Sequence, residues 1–194
     1  DYSEEKIKHT AYENFKSICI TLVEILSLPW IKKEQVNNIL LFDNPDLFIN
    51  KFKEGNGLIV LSGHFGNWEY LATLGAYILQ VKFHVVVKPQ RNPYVDRWMN
   101  SYRTKWNNEV IALGPSIRNV YSVLIKRGIL AMVADQRGPE ESIKLEFFGR
   151  KTSVYTGPAI LSLKSNAPLL FGIAIRQKDF SYKIFITEIS RDNL

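Results

Sequence analysis

The sequence predicts an α/β fold with a largely parallel, mixed β-sheet, flanked by helices and preceded by an N-terminal helical segment. Short apolar runs rich in β-branched residues alternate with segments of helical periodicity, and this alternation favours parallel strands joined by helices. The last two runs are separated by a short polar turn, so we expect them to form an antiparallel hairpin that makes the sheet mixed. The predicted strands are residues 58–61, 83–87, 110–113, 129–133, 169–175 and 182–189.

The N-terminal segment, residues 3–27, has the pattern of a long helix. Ser3 is a suitable N-cap, and two glutamates follow it in the first turn. Apolar residues then recur at spacings of three and four from Ile7 to Ile25, and Pro29 ends the helix. Further helices are expected at residues 33–41, 43–55, 68–79, 94–106, 117–126 and 158–164.

The length of 194 residues and the ordinary apolar content indicate one domain that spans residues 1–194. The single cysteine, Cys19, excludes an internal disulfide and a cysteine-based zinc site, and we expect it in the core. No apolar run reaches the roughly twenty residues of a membrane span. Because the chain begins with Asp1 and ends shortly after a predicted strand, we expect a fragment that is trimmed at both ends.

The formal net charge of +6 is concentrated in one part of the chain. Nine basic residues and two acidic residues lie between Lys82 and Arg127. Such a surplus attracts acidic proteins, phosphorylated ligands or anionic lipid headgroups, although these residues could equally be solvated helix faces. A nucleic-acid partner is disfavoured, because the aromatic residues lie mostly on apolar strands and are not interleaved with the basic residues.

His64 and Glu69 stand where a buried strand is expected to turn into a helix, in the segment LSGHFGNWEY. That edge of an α/β sheet is where such proteins place their chemistry, and a histidine beside a carboxylate is the pair that general-base catalysis needs. Residues five apart on an ideal helix point about 140° apart, so the two side chains can meet only if the backbone bends. Gly63 and Gly66 allow that bend. We therefore predict that Glu69 reaches back to orient His64.

Two further strand ends carry polar residues. Asp135 follows the apolar strand 129–133, and it could approach His64 because the carboxyl ends of parallel strands share one edge of the sheet. It could orient a catalytic group or cap backbone N–H groups, and its spacing favours capping. Lys88 ends the strand 83–87 at the same edge, where a cation could stabilise a developing oxyanion, as could backbone N–H groups near Gly63 and Gly66.

A third polar site contains the segments FFGR at residues 147–150 and TGP at residues 156–158. Two adjacent aromatic rings and Arg150 before a helix start could wall an acyl pocket, or they could merely cover the edge of the sheet. The residue pattern alone leaves both interpretations open.

The other two histidines point to structural positions. His9 is expected on the surface of the first helix, and His84 lies inside a strand, where hydrogen-bonded packing is the better interpretation. Neither has a second ligand at a spacing typical of metal sites, so we expect no metal ion. The sequence contains no GxGxxG, no GxxxxGK[ST] and no GxSxG motif, and we expect no cofactor.

At these residues the sequence resembles the bacterial lipid A biosynthesis acyltransferases, the lauroyl and myristoyl transferase group. The resemblance covers roughly residues 5–190 and rests on HFGNWE at 64–69, the Asp135-Gln136 loop, FFGR and TGP, in the same order and with similar spacing. An HxxxxE motif alone would be weak evidence, whereas the combination is specific. The resemblance implies a sheet like that of the glycerolipid acyltransferases. It also implies an N-terminal membrane-anchoring helix and a longer C terminus, which are expected to be missing here.

The resemblance further implies a reaction. A fatty acyl chain would move from an acyl carrier protein thioester to a hydroxyl of a phosphorylated glucosamine lipid, a lipid A precursor of lipopolysaccharide, at the cytoplasmic face of the bacterial inner membrane. The family's catalytic pair carries over to His64 as general base and Glu69. Where the family has arginine before proline, this chain has Lys88, which keeps the charge but loses the planar fork. The expected substrate-binding or oxyanion residues are Lys88, Arg103, Asp135, Arg150, Gly66 and Asn67.

Other interpretations remain open on the sequence. A glycerolipid acyltransferase uses a similar pair on another acceptor, although Glu69, in place of the aspartate common in that group, and Asn67-Trp68 favour the lipid A type. The acceptor could be another envelope lipid, such as an ornithine lipid. The chain could also be a non-catalytic lipid-binding relative in which His64 and Glu69 form a buried hydrogen-bonded pair.

Overall fold

A computed structural model of the chain describes residues 2–113 and 117–190. The helices are α1 (Glu4–Ser27), α2 (Val36–Ile39), α3 (Pro45–Lys53), α4 (Trp68–Ile78), α5 (Pro93–Lys105), α6 (Ile117–Ile125) and α7 (Gly157–Ser165). The strands are β1 (Leu40–Phe42), β2 (Leu58–Ser62), β3 (Phe83–Val87), β4 (Glu109–Ala112), β5 (Ile129–Val133), β6 (Lys144–Phe147), β7 (Arg150–Ser153), β8 (Leu169–Arg176) and β9 (Tyr182–Ile189). The chain ends, on which the expectation of a trimmed fragment rests, lie outside the described residues.

The architecture confirms the predicted α/β class. Seven strands form a mixed sheet in the order β1-β9-β8-β2-β5-β3-β4. The pairs within β8-β2-β5-β3-β4 are parallel, and β8 pairs with β9 in the predicted antiparallel hairpin. β1 joins the sheet at its edge, parallel to β9. The carboxyl ends of β2, β5 and β3 therefore lie side by side at one edge of the sheet.

Three strands were missed by the sequence analysis. β1 begins inside the predicted helix 33–41 and ends one residue beyond it. The segment is in fact a 3-10 turn at Lys33–Gln35, the short helix α2 and then the strand. β6 and β7 form a separate two-stranded hairpin between β5 and α7. All four residues of β6 are exposed, so this hairpin has no buried face that would give it an apolar period.

Alternating residues of the central strands serve two different cores. Val60 of β2, Ala131 of β5 and Val85 of β3 face the side of the sheet covered by α3 and α4. Their neighbours Ile59 and Leu130 face the other side, where they pack against α6 and α7. Side chains of successive strand residues point to opposite faces, so a strand buried on both faces must be apolar throughout.

Helix α1 contacts the rest of the molecule only through its C-terminal part. Its buried residues are Thr21 and Ile25, whereas most of its other side chains are exposed. Cys19 is exposed, so the prediction that it lies in the core is wrong. It falls on the outward side of a helix that covers the sheet along one narrow stripe. None of the helices in the described part of the chain combines the length and hydropathy of a membrane span.

The turn between β2 and α4 requires glycine at position 66. Gly66 has a φ of +60°, in the left-handed region that disfavours side chains. A Cβ at this position would also overlap the backbone carbonyl oxygen of Ala174 in β8. Two independent constraints, the backbone conformation and the close approach of β8, therefore select glycine here.

We predict that Gly66→Ala destabilises the protein far more than Gly149→Ala. Gly149 has a similar φ of +70° but open space where its Cβ would lie. The Gly149 variant should lose about 1–2 kcal/mol from backbone strain alone, and the Gly66 variant at least about 2 kcal/mol more from the overlap with β8. Chemical denaturation of both variants measures the difference. Equal losses would show that the approach of β8 does not constrain the turn.

Candidate active site

The polar residues singled out in the sequence converge at the carboxyl ends of β2, β5 and β3. Ser62 of β2 is in register with Val133 of β5. Two residues beyond each of these positions stand His64 and Asp135, so the register places the two side chains next to each other. This is the convergence at the sheet edge that the parallel topology predicts.

Asp135 holds His64 through two hydrogen bonds. Its Oδ1 lies 2.8 Å from the imidazole Nδ1, and its Oδ2 accepts the backbone N–H of His64 at 2.7 Å. Gly63 allows this approach, because a Cβ there would lie 3.1 Å from the same carboxylate oxygen. Asp135 therefore orients the ring and caps the backbone, so the two roles that the sequence offered as alternatives are both filled.

The Asp135 carboxylate fixes the tautomer of the imidazole. Partial burial by itself would raise the pKa of Asp135, but the hydrogen bonds from the ring and backbone of His64 outweigh it and lower that pKa below its usual value. Asp135 is therefore an ionised acceptor at neutral pH, and a neutral His64 must present Nδ1–H to it. The unprotonated nitrogen is then Nε2, which is the one available as a base.

Glu69 does not orient His64, so the predicted pairing of these two residues is wrong. The Glu69 carboxylate accepts two hydrogen bonds from Arg103 of α5, from Nε at 3.0 Å and from Nη2 at 2.5 Å. Both side chains are buried. Although desolvation favours its neutral form, the bonds to Glu69 raise the pKa of Arg103 above its usual value. The first turn of α4 points the carboxylate toward α5, where a buried guanidinium meets it.

The remaining residues of the motif mostly build the turn. Asn67 is fully buried, and its Oδ1 accepts the backbone N–H of Tyr70 at 2.9 Å as the N-cap of α4. Its side-chain N–H donates to Glu24 of α1, so the expected substrate-binding or oxyanion role of Asn67 is not supported by its contacts. The Trp68 ring packs edge-on against the His64 ring, with centroids 4.7 Å apart.

The FFGR segment does not wall a pocket. It forms the tip of the β6–β7 hairpin, where Phe147 and Arg150 are paired residues of the two strands. Phe148 is 90% exposed and Arg150 is exposed as well. Of the two interpretations of these aromatics, the pocket wall is wrong, and they do not cover the seven-stranded sheet either. The expected role of Arg150 in substrate binding remains a prediction.

The other histidines take the predicted structural positions. His9 is exposed on α1, and His84 Nδ1 lies 3.1 Å from the carbonyl oxygen of Ile129. Several cations of the basic stretch are engaged within the fold, among them Lys82 with Glu109 and Arg103 with Glu69. The stretch is therefore a mixture of structural ion pairs and exposed charges.

An apolar cavity of about 610 Å³ opens beside His64. Its size lies within the roughly 300–1,000 Å³ typical of small-molecule sites. Valines, leucines and aromatic residues dominate the lining, and its polar residues are Ser62, His64, Glu69, Lys88, Gln90, Arg103 and Gln136. The cavity lies on the α4 face of the sheet, between β3, α4 and α5, so His64 and Lys88 stand at the same apolar space.

Two leucines of α1 also line the cavity, and the sequence did not identify them as residues of the site. Leu22 and Leu26 line the cavity although each is more than half exposed. The only signal was their place on the apolar stripe of the first helix. An apolar stripe predicts that the helix packs against another apolar surface, but the sequence did not show that this surface encloses a cavity.

A histidine held by a strand-end aspartate thus lines an apolar cavity on the α4 face of an α/β sheet. The family model for bacterial lipid A biosynthesis acyltransferases matches residues 1–190 of the chain. The chain therefore belongs to this family of acyltransferases, as its motifs suggested. A comparison with curated protein sequences finds no match.

We predict that Asp135→Asn reverses the tautomer of His64. Asp135 accepts two N–H groups, and an asparagine has one acceptor oxygen, so its amide N–H must face either the ring nitrogen or the backbone N–H. Facing the ring, it would leave the proton on Nε2 and remove the base. The ¹⁵N signals of the imidazole should show Nδ1 protonated in the native protein and Nε2 protonated in the variant.

The matched control is Asp179→Asn, which changes a carboxylate in the β8–β9 turn that accepts from Ser181. It should leave the His64 signals unchanged. If Asp135→Asn also leaves them unchanged, Asp135 does not set the tautomer.

Proposed function

We propose that this protein transfers a fatty acyl chain from an acyl carrier protein thioester to a hydroxyl of a phosphorylated glucosamine lipid, a lipid A precursor. The observation that carries the proposal is the His64–Asp135 pair at the mouth of the apolar cavity, in a chain that belongs to the lipid A acyltransferase family. The cavity suits an acyl chain, and the base stands where the thioester of a chain buried there would emerge.

In the proposed reaction, His64 is the general base. Its Nε2 takes the proton of the acceptor hydroxyl as the oxygen attacks the thioester carbonyl carbon. A carbon–oxygen bond forms, the carbon–sulfur bond breaks, and the imidazolium returns the proton to the leaving thiolate. Asp135 stabilises the imidazolium between these steps through the 2.8 Å contact with Nδ1. The reaction needs no acyl-enzyme intermediate.

Lys88 is the proposed source of oxyanion stabilisation. It follows β3, it is exposed, and it lines the cavity together with His64. An ammonium group there can approach the charge that develops on the carbonyl oxygen. Glu69 and Arg103 have a different proposed role. Because each carboxylate oxygen accepts an N–H from the guanidinium, the pair presents no unbalanced charge to the acyl chain and ties α4 to α5.

Exposed cations near the cavity support anionic partners. Lys88, Arg91 and Arg97 are exposed at the carboxyl end of β3 and the start of α5. Both an acidic carrier protein and the phosphates of a glycolipid acceptor would be attracted to such a surface. The proposed partners are therefore the acyl carrier protein as donor and the phosphorylated glycolipid as acceptor.

The proposed location is the cytoplasmic face of the bacterial inner membrane. The support lies on α1, where apolar residues at spacings of three and four form an exposed stripe consisting of Ile7, Ala11, Phe15, Ile18, Leu22 and Leu26. The stripe ends at the two leucines that also line the cavity. A lipid surface against this stripe would be continuous with the space proposed for the acyl chain.

We predict that purified protein transfers acyl groups from acyl carrier protein to a phosphorylated glucosamine disaccharide lipid, and that His64→Ala lowers kcat by about 10²–10⁴-fold. The control is His9→Ala, which removes an exposed imidazole on α1 and should leave kcat unchanged. Product formation is followed by mass spectrometry. The same donor is offered with a glycerol phosphate lipid and with an ornithine lipid.

Turnover with one of these other acceptors alone would replace the lipid A precursor in the proposal. A His64→Ala variant with full turnover would refute the general-base mechanism. Absence of turnover with every donor and acceptor would favour the non-catalytic interpretation.

We predict that two charges on the stripe of α1 weaken membrane binding. Phe15→Glu with Ile18→Glu should reduce co-sedimentation with phosphatidylethanolamine–phosphatidylglycerol vesicles by about tenfold or more, because apolar area would be lost from the lipid contact. The matched control places two glutamates on the opposite side of the helix, at His9 and Thr10, which are also exposed. Equal binding of the two double variants would exclude the stripe as the lipid contact.

A further inference from the structure

A partly buried carboxylate on α1 accepts hydrogen bonds from three residues of other elements. Glu24 accepts from Nε and Nη2 of Arg176 at 3.2 and 3.0 Å, from the Tyr182 hydroxyl at 2.6 Å and from the Asn67 side-chain N–H at 3.0 Å. The side chains of Glu24 and Arg176 are each only 13% exposed. Together with Thr21, these residues form what we call the Glu24 cluster. It lies outside the proposed chemistry.

The Glu24 cluster forms hydrogen bonds with the turn that follows His64. The Thr21 hydroxyl donates to the carbonyl oxygen of Gly66 at 3.1 Å and accepts from Arg176 at 2.7 Å. Asn67, the next residue, is held through its side-chain N–H by Glu24. From the other side, the backbone of β8 at Ala174 approaches Gly66 closely. The turn is thus clamped between α1 and β8.

The clamped residues, Gly66 and Asn67, lie between His64 and Trp68 in the chain. His64 lies two residues before Gly66, and Trp68, whose ring packs against His64, comes directly after Asn67. A shift of the turn would therefore move the imidazole relative to both the cavity and Asp135. The N-cap bond, in which Asn67 Oδ1 accepts the backbone N–H of Tyr70, fixes only the start of α4. The side-chain N–H of the same amide is held by Glu24 of α1.

We propose that Glu24 is a positioning residue for acyl transfer, which acts through Asn67 and the Gly66 turn to hold His64 at the cavity. The inference rests on the proposed function for its kinetic consequence. Burying an ion pair is costly, and an apolar pair of similar volume often gives a protein of equal stability. The stability of the fold therefore does not by itself require the Glu24–Arg176 ion pair. Groups that orient metal ligands typically change affinity or activity by about 10–100-fold when removed, and we expect an effect of this size for a group that orients His64.

The test removes both charges together. In the double variant Glu24→Leu with Arg176→Met, neither charge is left buried without its partner, and the fold should be retained. We expect kcat to fall by about 10–100-fold with little change in KM for the acyl donor. In the Arg176→Met background, Glu24→Gln keeps an oxygen that can accept from Asn67 without leaving a charge unpaired, and it should restore most of kcat.

The control replaces a more exposed ion pair between α3 and β9. Lys51 of α3 pairs with Glu188 of β9 at 2.8 Å, and the double variant Lys51→Met with Glu188→Gln should leave kcat unchanged. A decrease in kcat common to both double variants would mean that loss of any ion pair has the same effect, which would overturn the proposal.

A second measurement does not depend on turnover. The ring signals of His64 are assigned by their loss in His64→Ala. They should shift or broaden in Glu24→Leu with Arg176→Met, return to their native positions in Glu24→Gln with Arg176→Met, and stay unchanged in the control. The His84 signals should stay constant in every variant. If His64 responds but no variant has activity, the proposed function fails and the positioning role stands. A folded double variant with native His64 signals and native kcat would overturn it. If the double variant does not fold, Thr21→Val tests the clamp instead. It removes the bond to the Gly66 carbonyl and the bond from Arg176, and it leaves the Glu24–Arg176 ion pair in place.

Discussion

The short turn from Gly63 to Asn67 is the constraint on which the rest of the site depends. It must end β2, expose His64 at the sheet edge and begin α4 within a few residues. The left-handed Gly66 makes the reversal possible, and the carbonyl of Ala174 leaves no room for any other residue there. Because the turn is held between α1 and the backbone of β8, the imidazole starts from a defined position. Asp135 then needs only to orient it.

The division of work between the two carboxylates follows from their surroundings. Asp135 is partly exposed at the end of β5 and contacts the imidazole Nδ1, so it can stabilise a charge that appears on His64 during a reaction. Glu69 is buried against Arg103, and its charge is already balanced. A buried pair of this kind is tolerated while it is intact, whereas loss of one partner typically costs about 3–5 kcal/mol. A variant of Glu69 that abolishes activity would therefore report on the integrity of α4 and α5 as much as on the reaction.

The sequence predicted most of the regular structure because apolar periodicity is strong in the central strands and helices. Periodicity failed for β1, which is three residues long, and for the β6–β7 hairpin, which buries almost nothing. The location of the site was also predictable, since parallel strand ends share an edge. The sequence brought Asp135 near His64 as well, but it assigned the orientation of the imidazole to Glu69. Spacing relates residues that are close along the chain, whereas the contact with Asp135 arises from the register of β2 against β5, which only the folded sheet defines.

The two faces of the sheet carry side chains of different size. Beneath α6 and α7, large aliphatic side chains such as Ile59 and Leu130 are fully buried. On the α4 face, the facing positions include the small residues Ala72 and Ala131, which leave space along the strands. The residues beneath α6 and α7 belong to β2 and β5, whose register places Asp135 next to His64. The residues that alternate with them face the cavity. The pairing of the two polar side chains and the shape of the cavity therefore depend on alternate residues of the same strands.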